Sequence, residues 1–196
     1  MTHKVLQGNI NHCRSSQDVF LHTMAETCSG LGIIAEPYWV PPNHPCWAVS
    51  RCGRAAITWR VTDEPVPCSR LESGDGFVAA RWGLVVVVGV YIPPARSLDI
   101  PGFEAILDNL RDCLVRYLPR EEVLLAGDFN AKATFWGSPA TDRRGAILLD
   151  WAAGLGLVCV NTGAVQTCVR QTGGSIVDLT WASPLSRAVF GIGGWP

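Results

Sequence analysis

Val123-Leu124-Leu125-Ala126-Gly127-Asp128-Phe129-Asn130 opens as an apolar run and closes on an acid and an amide two positions apart. The run reads as a buried strand. Side chains two apart on an extended backbone point the same way, so Asp128 and Asn130 face one space together. Ligands of α/β proteins lie at the carboxyl ends of strands, which is where these two residues fall.

The same pattern recurs outward from this stretch. Val5-Leu6 begins a short strand that ends in Gly8-Asn9-Ile10-Asn11, and Gly32-Ile33-Ile34-Ala35-Glu36 is a strand closed by Pro37. Residues 55–60 read as a strand, and residues 77–81 and 84–91 as a hairpin around Trp82-Gly83. Further strands are expected at 157–160 and 175–181. Helical spacing joins Leu21, Met24, Cys28 and Leu31, with Ser15 and Asp18 resembling a capping box and Gly30 as terminator. A second apolar stripe runs through Phe103, Ile106, Leu107, Leu110, Leu114 and Tyr117, and a third through Ile147, Leu148, Trp151 and Leu155. Segments 37–54 and 129–144, and the polar stretch before Gly76, read as loops. The order mixes βαβ units with hairpins, which implies an α/β sandwich of mixed sheets.

The chain has 196 residues, 48% of them hydrophobic and 17% charged. That length suits one domain spanning 1–196 with a full core, and that composition excludes a disordered chain. The net charge of −1 does not announce a polyanion partner. Arginine carries almost all the positive charge, which suits phosphate contacts, although a GC-rich gene explains it equally well. The eight cysteines show no metal-ligand spacing. They read as reduced, small buried hydrophobes of an intracellular protein. No apolar run is long enough to span a bilayer. His3, His12, His22 and His44 lack metal-ligand spacing and read as surface or loop residues.

The strand ends carry the chemistry. Asn9 and Asn11, Glu36, Tyr91, Asp128 and Asn130, and Asp178 each follow or join an apolar strand. Parallel strands side by side would bring several of these ends to one edge. Hard oxygen ligands of this kind suit Mg²⁺ rather than zinc. A metal beside a carboxylate base is a means of attacking a phosphodiester. Each residue also has a plainer reading: turn-forming asparagines, a strand-end Glu36, a core Tyr91, an Asx turn at Asp128, or an Asp178–Arg187 pair. The case rests on their coincidence. Trp136 and Trp39 are candidates to stack on a base, against core or loop packing as the simpler role.

These residues also resemble a known family. Gly127-Asp128-Phe129-Asn130-Ala131-Lys132, Trp136-Gly137-Ser138 and Thr141-Asp142-Arg143-Arg144-Gly145 resemble the endonuclease domain of non-LTR (LINE-type) retrotransposons, within the endonuclease/exonuclease/phosphatase superfamily. Leu6-Gln7-Gly8-Asn9-Ile10-Asn11-His12, Ala35-Glu36-Pro37-Tyr38, Tyr91-Ile92-Pro93-Pro94 and Ser175-Ile176-Val177-Asp178-Leu179 resemble its other motifs, in order. The resemblance implies a four-layered α/β sandwich of two mixed sheets flanked by helices. It implies Mg²⁺-dependent nicking of target DNA, with Mn²⁺ as a possible substitute, to leave a 3′ hydroxyl that primes reverse transcription.

Position by position, the resemblance makes Glu36 the metal-binding glutamate. Asn11 stands where many relatives have an aspartate near the metal. Asn9 helps hold the site, Tyr91 contacts the scissile phosphate, and Asp128 handles the proton. Asn130 orients the same centre, and Asp178 pairs with a histidine. The resemblance further implies DNA as partner, a reverse transcriptase domain in the same polyprotein, no membrane, and nuclear action.

The Ser-Asp-His motif expected a few tens of residues beyond Asp178 does not occur. A domain incomplete at its C-terminus, without its last strand and impaired in nicking, is therefore expected. A phosphatase or phosphodiesterase of the same superfamily and a non-catalytic remnant are the alternatives. Loops 37–54, 92–101, 131–144 and 162–174 are the expected DNA readers.

Overall fold

The computed structural model describes residues 4–61, 65–161, 168–170 and 173–184. Twelve strands and three α-helices are found among them. The chain runs β1 (Val5–Asn9), α1 (Arg14–Glu26), β2 (Leu31–Ala35), β3 (Trp47–Val49), β4 (Ala55–Trp59), β5 (Cys68–Gly74), β6 (Phe77–Trp82) and β7 (Val85–Tyr91). It continues with α2 (Ile100–Leu114), β8 (Glu122–Asp128), α3 (Arg143–Gly154), β9 (Val158–Cys159), β10 (Cys168–Arg170), β11 (Gly173–Ser175) and β12 (Asp178–Ala182).

Both large sheets are mixed. One has the order β1-β2-β4-β3, with β1 and β2 parallel and the other pairs antiparallel. The other has the order β5-β6-β7-β8-β12-β9, with only β7 and β8 parallel. Strands β10 and β11 form a separate hairpin.

Side-chain alternation builds the layers. Ile33 and Ile57 of the first sheet pack with Val87, Leu124 and Ala126 of the second, which fills the space between the sheets. Gly89 lets the sheets approach, because a Cβ there would stand 3.2 Å from both Ile33 and Ile57. Phe20 and Met24 of α1 cover the outer face of the first sheet against Leu6, Ile34 and Trp47. Phe103, Leu107 and Leu110 of α2 and Leu148 and Ala152 of α3 cover the outer face of the second, against Val86, Val88 and Leu125. Helix, sheet, sheet and helices thus make four layers, as the resemblance implies. Among the described residues, no helix is long and apolar enough to cross a membrane.

Several local readings are corrected. Strands β3 and β5 occupy segments read as loop, and both are edge strands. The first helix is capped by Cys13 without a side-chain hydrogen bond, so Ser15 and Asp18 form no capping box, and it ends at Glu26, before Gly30. Of Cys13, Cys28, Cys46, Cys52, Cys68, Cys113 and Cys159, only Cys113 is buried. Cys28 and Cys52 are exposed, and all seven are free thiols. Trp136 is buried, its ring edge-on to Trp181 at 5.9 Å, so it is core and unavailable to a base. Arg187, residues 162–167 and 171–172 of the loop 162–174, and everything beyond 184 lie outside the described residues.

Candidate active site

Four strand ends meet between the sheets. Parallel pairing of β1 with β2 sets Asn9 beside Ala35, so Glu36 follows at the same edge. Parallel pairing of β7 with β8 sets Tyr91 beside Asp128. Asp178 arrives differently from the expected parallel arrangement. It is the first residue of β12, which runs antiparallel to β8, and it lies opposite Asp128 in the register. A strand entering the sheet against the grain delivers its beginning where its neighbour delivers its end.

Asn9 joins the two sheets at this edge. Its Nδ2 donates to Asp128 Oδ2 at 2.9 Å and lies 3.4 Å from Glu36 Oε2. Its own Oδ1 accepts from the Asn11 backbone N–H at 2.8 Å, which fixes which end of the amide faces the acids. Glu36 and Asp128, far apart in sequence, are therefore linked through one side-chain nitrogen. The Tyr91 hydroxyl donates to Glu36 Oε1 at 2.7 Å. The Asn130 backbone N–H donates to Asp128 Oδ1 at 2.9 Å, and Asn130 Nδ2 donates to the Ile92 carbonyl at 3.0 Å. The structure thus gathers Asn9, Glu36, Tyr91, Asp128 and Asn130, with Asp178 opposite Asp128. Asn11 joins through its backbone, and its side chain is exposed.

Electrostatics follow from burial. Asp128 is 4% exposed. Burial first, and then the Asp178 charge, push its carboxyl from an ordinary 3.8 up to about 7, against the lowering pull of its Asn130 and Asn9 donors. Burial and the Glu36 hydrogen bond raise the Tyr91 phenol, so it stays a donor at neutral pH.

Backbone strain gathers here too. Asn11, His12, Glu36 and Asn130 have φ of 50°, 53°, 47° and 45°, left-handed conformations that a non-glycine residue holds only when its surroundings enforce them. The enforcing bonds are visible: His12 N–H to the Glu36 carbonyl and Glu36 N–H to the Arg54 carbonyl. Gly127 has φ of 144°, and a Cβ there would stand 2.0 Å from the Val90 carbonyl oxygen. Only glycine lets β8 lie this close to β7 just before Asp128.

His12, read from the sequence as a surface or loop residue, and Arg144, quoted only within its motif, belong to this construction. His12 donates through Nδ1 to the Pro37 carbonyl at 3.0 Å and brings Nε2 to 3.6 Å from Glu36 Oε1. Its position next to Asn11 was the only signal. Arg144, 2% exposed, donates to the carbonyls of Pro93 at 2.6 Å, Leu98 at 2.5 Å and Asn130 at 3.4 Å, and its guanidinium lies over the Phe103 ring. It staples the loop after Tyr91 to the loop after Asp128. Asp142 caps α3 through Gly145 N–H and also accepts from Lys132 N–H. Ser138 donates to the Ile176 carbonyl at 3.1 Å. The Trp-Gly-Ser and Thr-Asp-Arg-Arg-Gly segments are thus scaffolding for the loop 129–144.

Among the described residues, no three His, Cys, Asp or Glu side chains cluster as metal ligands. The donor set nevertheless fits one hard divalent cation that keeps several waters, since such an ion needs only one or two protein carboxylates. Burial chiefly raises the Asp128 carboxyl, and a cation would offset the smaller part that comes from the charges of Asp178 and Glu36.

Comparison with known proteins bears on what this site does. A family model described as endonuclease-reverse transcriptase matches residues 85–189. The chain is similar to the endonuclease domain of TRAS1, a telomere-specific non-LTR retrotransposon, at 25% identity over 92% of this chain and 84% of that one, with a TM-score of 0.78. It shares its fold with a 3′ phosphatase, NExo from Neisseria, solved with a product DNA hairpin (16% identity, 94% and 88% coverage, TM-score 0.67). It shares it equally with an AP endonuclease from Archaeoglobus fulgidus (16% identity, 92% and 86% coverage, TM-score 0.66). No curated protein matches.

Proposed function

The chain belongs to the endonuclease-reverse transcriptase family, and from that premise we propose that it is a Mg²⁺-dependent endonuclease that nicks target DNA to prime reverse transcription. The observation that supports this most is Asn9, which ties Asp128 to Glu36 across two sheets while Tyr91 holds the other oxygen of Glu36.

In this reading each residue has a task. Glu36, with Asn11 beside it, would hold the cation, which supplies charge neutralisation at the phosphate. Asp128 exchanges a proton with the attacking water or the leaving oxygen. A carboxyl near 7 can do either at neutral pH. Asn9 and Asn130 hold the two oxygens of Asp128 by N–H donation, so its orientation is set before substrate arrives. Tyr91 keeps its proton, and its one O–H, which bonds Glu36 Oε1 in the structure, would have to leave that carboxylate to meet a phosphate oxygen. Asp178 raises the proton affinity of Asp128. The DNA would be chromosomal, cut in the nucleus beside a reverse transcriptase domain of the same polyprotein.

Supercoiled plasmid tests the reading. Conversion to the open circle should require Mg²⁺, stop with EDTA and vanish in Asp128→Ala, and the nick should be extendable by a polymerase. Nicking that survives Asp128→Ala would refute the assignment. Release of inorganic phosphate from small phosphate esters, with plasmid untouched, would favour a phosphatase instead.

A further inference from the structure

Two consecutive aromatic residues, Tyr38 and Trp39, follow the Glu36-Pro37 corner, and they are 52% and 57% exposed. A chain gains nothing by leaving two such side chains in water, yet this loop is held so that it does. Gln17 of α1, itself 6% exposed, accepts from the backbone N–H of Tyr38 at 2.8 Å and of Trp39 at 3.2 Å, and donates to the Trp39 carbonyl at 2.8 Å. His12 holds the Pro37 carbonyl from the other side. A buried amide that directs both its donor and its acceptor to one loop fixes that loop's shape. The shape it fixes is an exposed aromatic pair one residue beyond the Glu36-Pro37 corner.

Arg54 flanks the same corner. Its carbonyl accepts from Glu36 N–H at 2.8 Å, and its guanidinium carbon lies 5.8 Å from the centre of the Tyr91 ring. Among the described residues the arginine ion pairs belong to Arg14, Arg81, Arg111 and Arg116, and none of these acids faces Arg54. An exposed cation without a carboxylate therefore stands at the edge of a cluster of acids. Aromatic faces beside a lone cation are the two elements that a nucleic acid strand requires, stacking for a base and charge for a phosphate.

We propose that the 37–39 loop and Arg54 form the strand-holding surface of this site: Tyr38 and Trp39 stack on a base of the DNA, and Arg54 binds a phosphate beside the one at Glu36. The surface rests on the nuclease reading and assigns its substrate contacts. Stacking depends little on salt, whereas a phosphate contact releases counterions, so the two halves leave different signatures.

The test is equilibrium binding of the full chain to a fluorescent DNA duplex with a single-stranded tail, in EDTA, across a salt series. Trp39→Ala should weaken binding by roughly 5- to 100-fold with an unchanged salt slope, and Trp39→Phe should restore most of it. Arg54→Gln should lower the slope of log affinity against log salt by about one. Both side chains are exposed, so the unfolding midpoint should not move, and any shift is checked by melting. Parent-like binding by both Trp39→Ala and Arg54→Gln overturns the proposal, as does a concentration-dependent dimer that Trp39→Ala dissolves. A parent chain that binds no DNA would instead remove the nuclease reading, and this surface with it.

Discussion

Replacing Asp128 by asparagine should change how stability depends on pH more than it changes stability at any one pH. In the native protein the Asp128 carboxyl is raised from 3.8 to about 7, chiefly by burial and then by Asp178. A raised acid favours the folded state while it carries its proton. Its contribution is therefore complete below about pH 4 and is lost as the pH climbs through about 7. A rise of that size corresponds to on the order of 4 kcal/mol between the two limits. The Asp128→Asn variant cannot ionise at this position, so the slope should disappear. Its side-chain amide must still face two donors, Asn130 N–H and Asn9 Nδ2. One of these contacts is lost, which costs about 1–3 kcal/mol at every pH. The difference in unfolding free energy between variant and parent should thus move by a few kcal/mol in the variant's favour from pH 4 to pH 8. Urea denaturation in EDTA across that range measures it. Asp178→Asn, which removes the second cause, should shift the parent's transition to lower pH. Parallel pH profiles for parent and Asp128→Asn would refute the account of a buried, charge-crowded carboxyl.

Other perturbations have equally definite outcomes. Tyr91→Phe removes the 2.7 Å bond to Glu36. Nicking should fall by roughly 10- to 100-fold, and because a hydrogen bond to a charged group contributes about 1.5–3 kcal/mol to stability, the melting temperature should fall by several degrees as well. Arg144→Met leaves three carbonyls without their donor. Chemical denaturation should show a loss of about 2–4 kcal/mol, partly recovered by Arg144→Lys. Gly145→Ala would put a Cβ 1.8 Å from the Lys132 carbonyl oxygen. The α3 cap and the loop 129–144 must then separate, and calorimetry should find a midpoint lower by roughly 10 °C.

Much of the architecture was legible in the chain. Strand β8 announces itself because it is buried on both faces, so every residue from Val123 to Ala126 is apolar. The amphipathic stripe of α2 is likewise a local signal, although the helix ends at Leu114, before Tyr117. Strands β3 and β5 were not legible. Each lies at a sheet edge, β3 is three residues long among prolines, and β5 reads Cys-Ser-Arg-Leu-Glu-Ser-Gly with a register shift between Arg70 and Glu72. An edge strand buries only part of itself, so its identity is conferred by its neighbour rather than by its own pattern. The helix start at Cys13 was misplaced because Ser15 and Asp18 have the spacing of a capping box but lie inside the helix.

The residues of the candidate site divide in the same way. Asp128 and Asn130 meet otherwise than strand alternation predicts: β8 ends at Asp128, Asn130 turns to φ 45°, and its backbone N–H rather than its side chain reaches Asp128, the Asx turn that was the plainer reading. That Asn9 would bridge Asp128 to Glu36 depends on two sheets stacking in one register, with Gly89 permitting the approach. The work of His12, Gln17, Arg54 and Arg144 was invisible for the same reason. Each acts on backbone that is remote in sequence or turned by left-handed residues, and no periodicity records such a contact. Local geometry chose the chemistry of the strand ends. Long-range packing chose which ends meet, and how strongly their charges oppose one another.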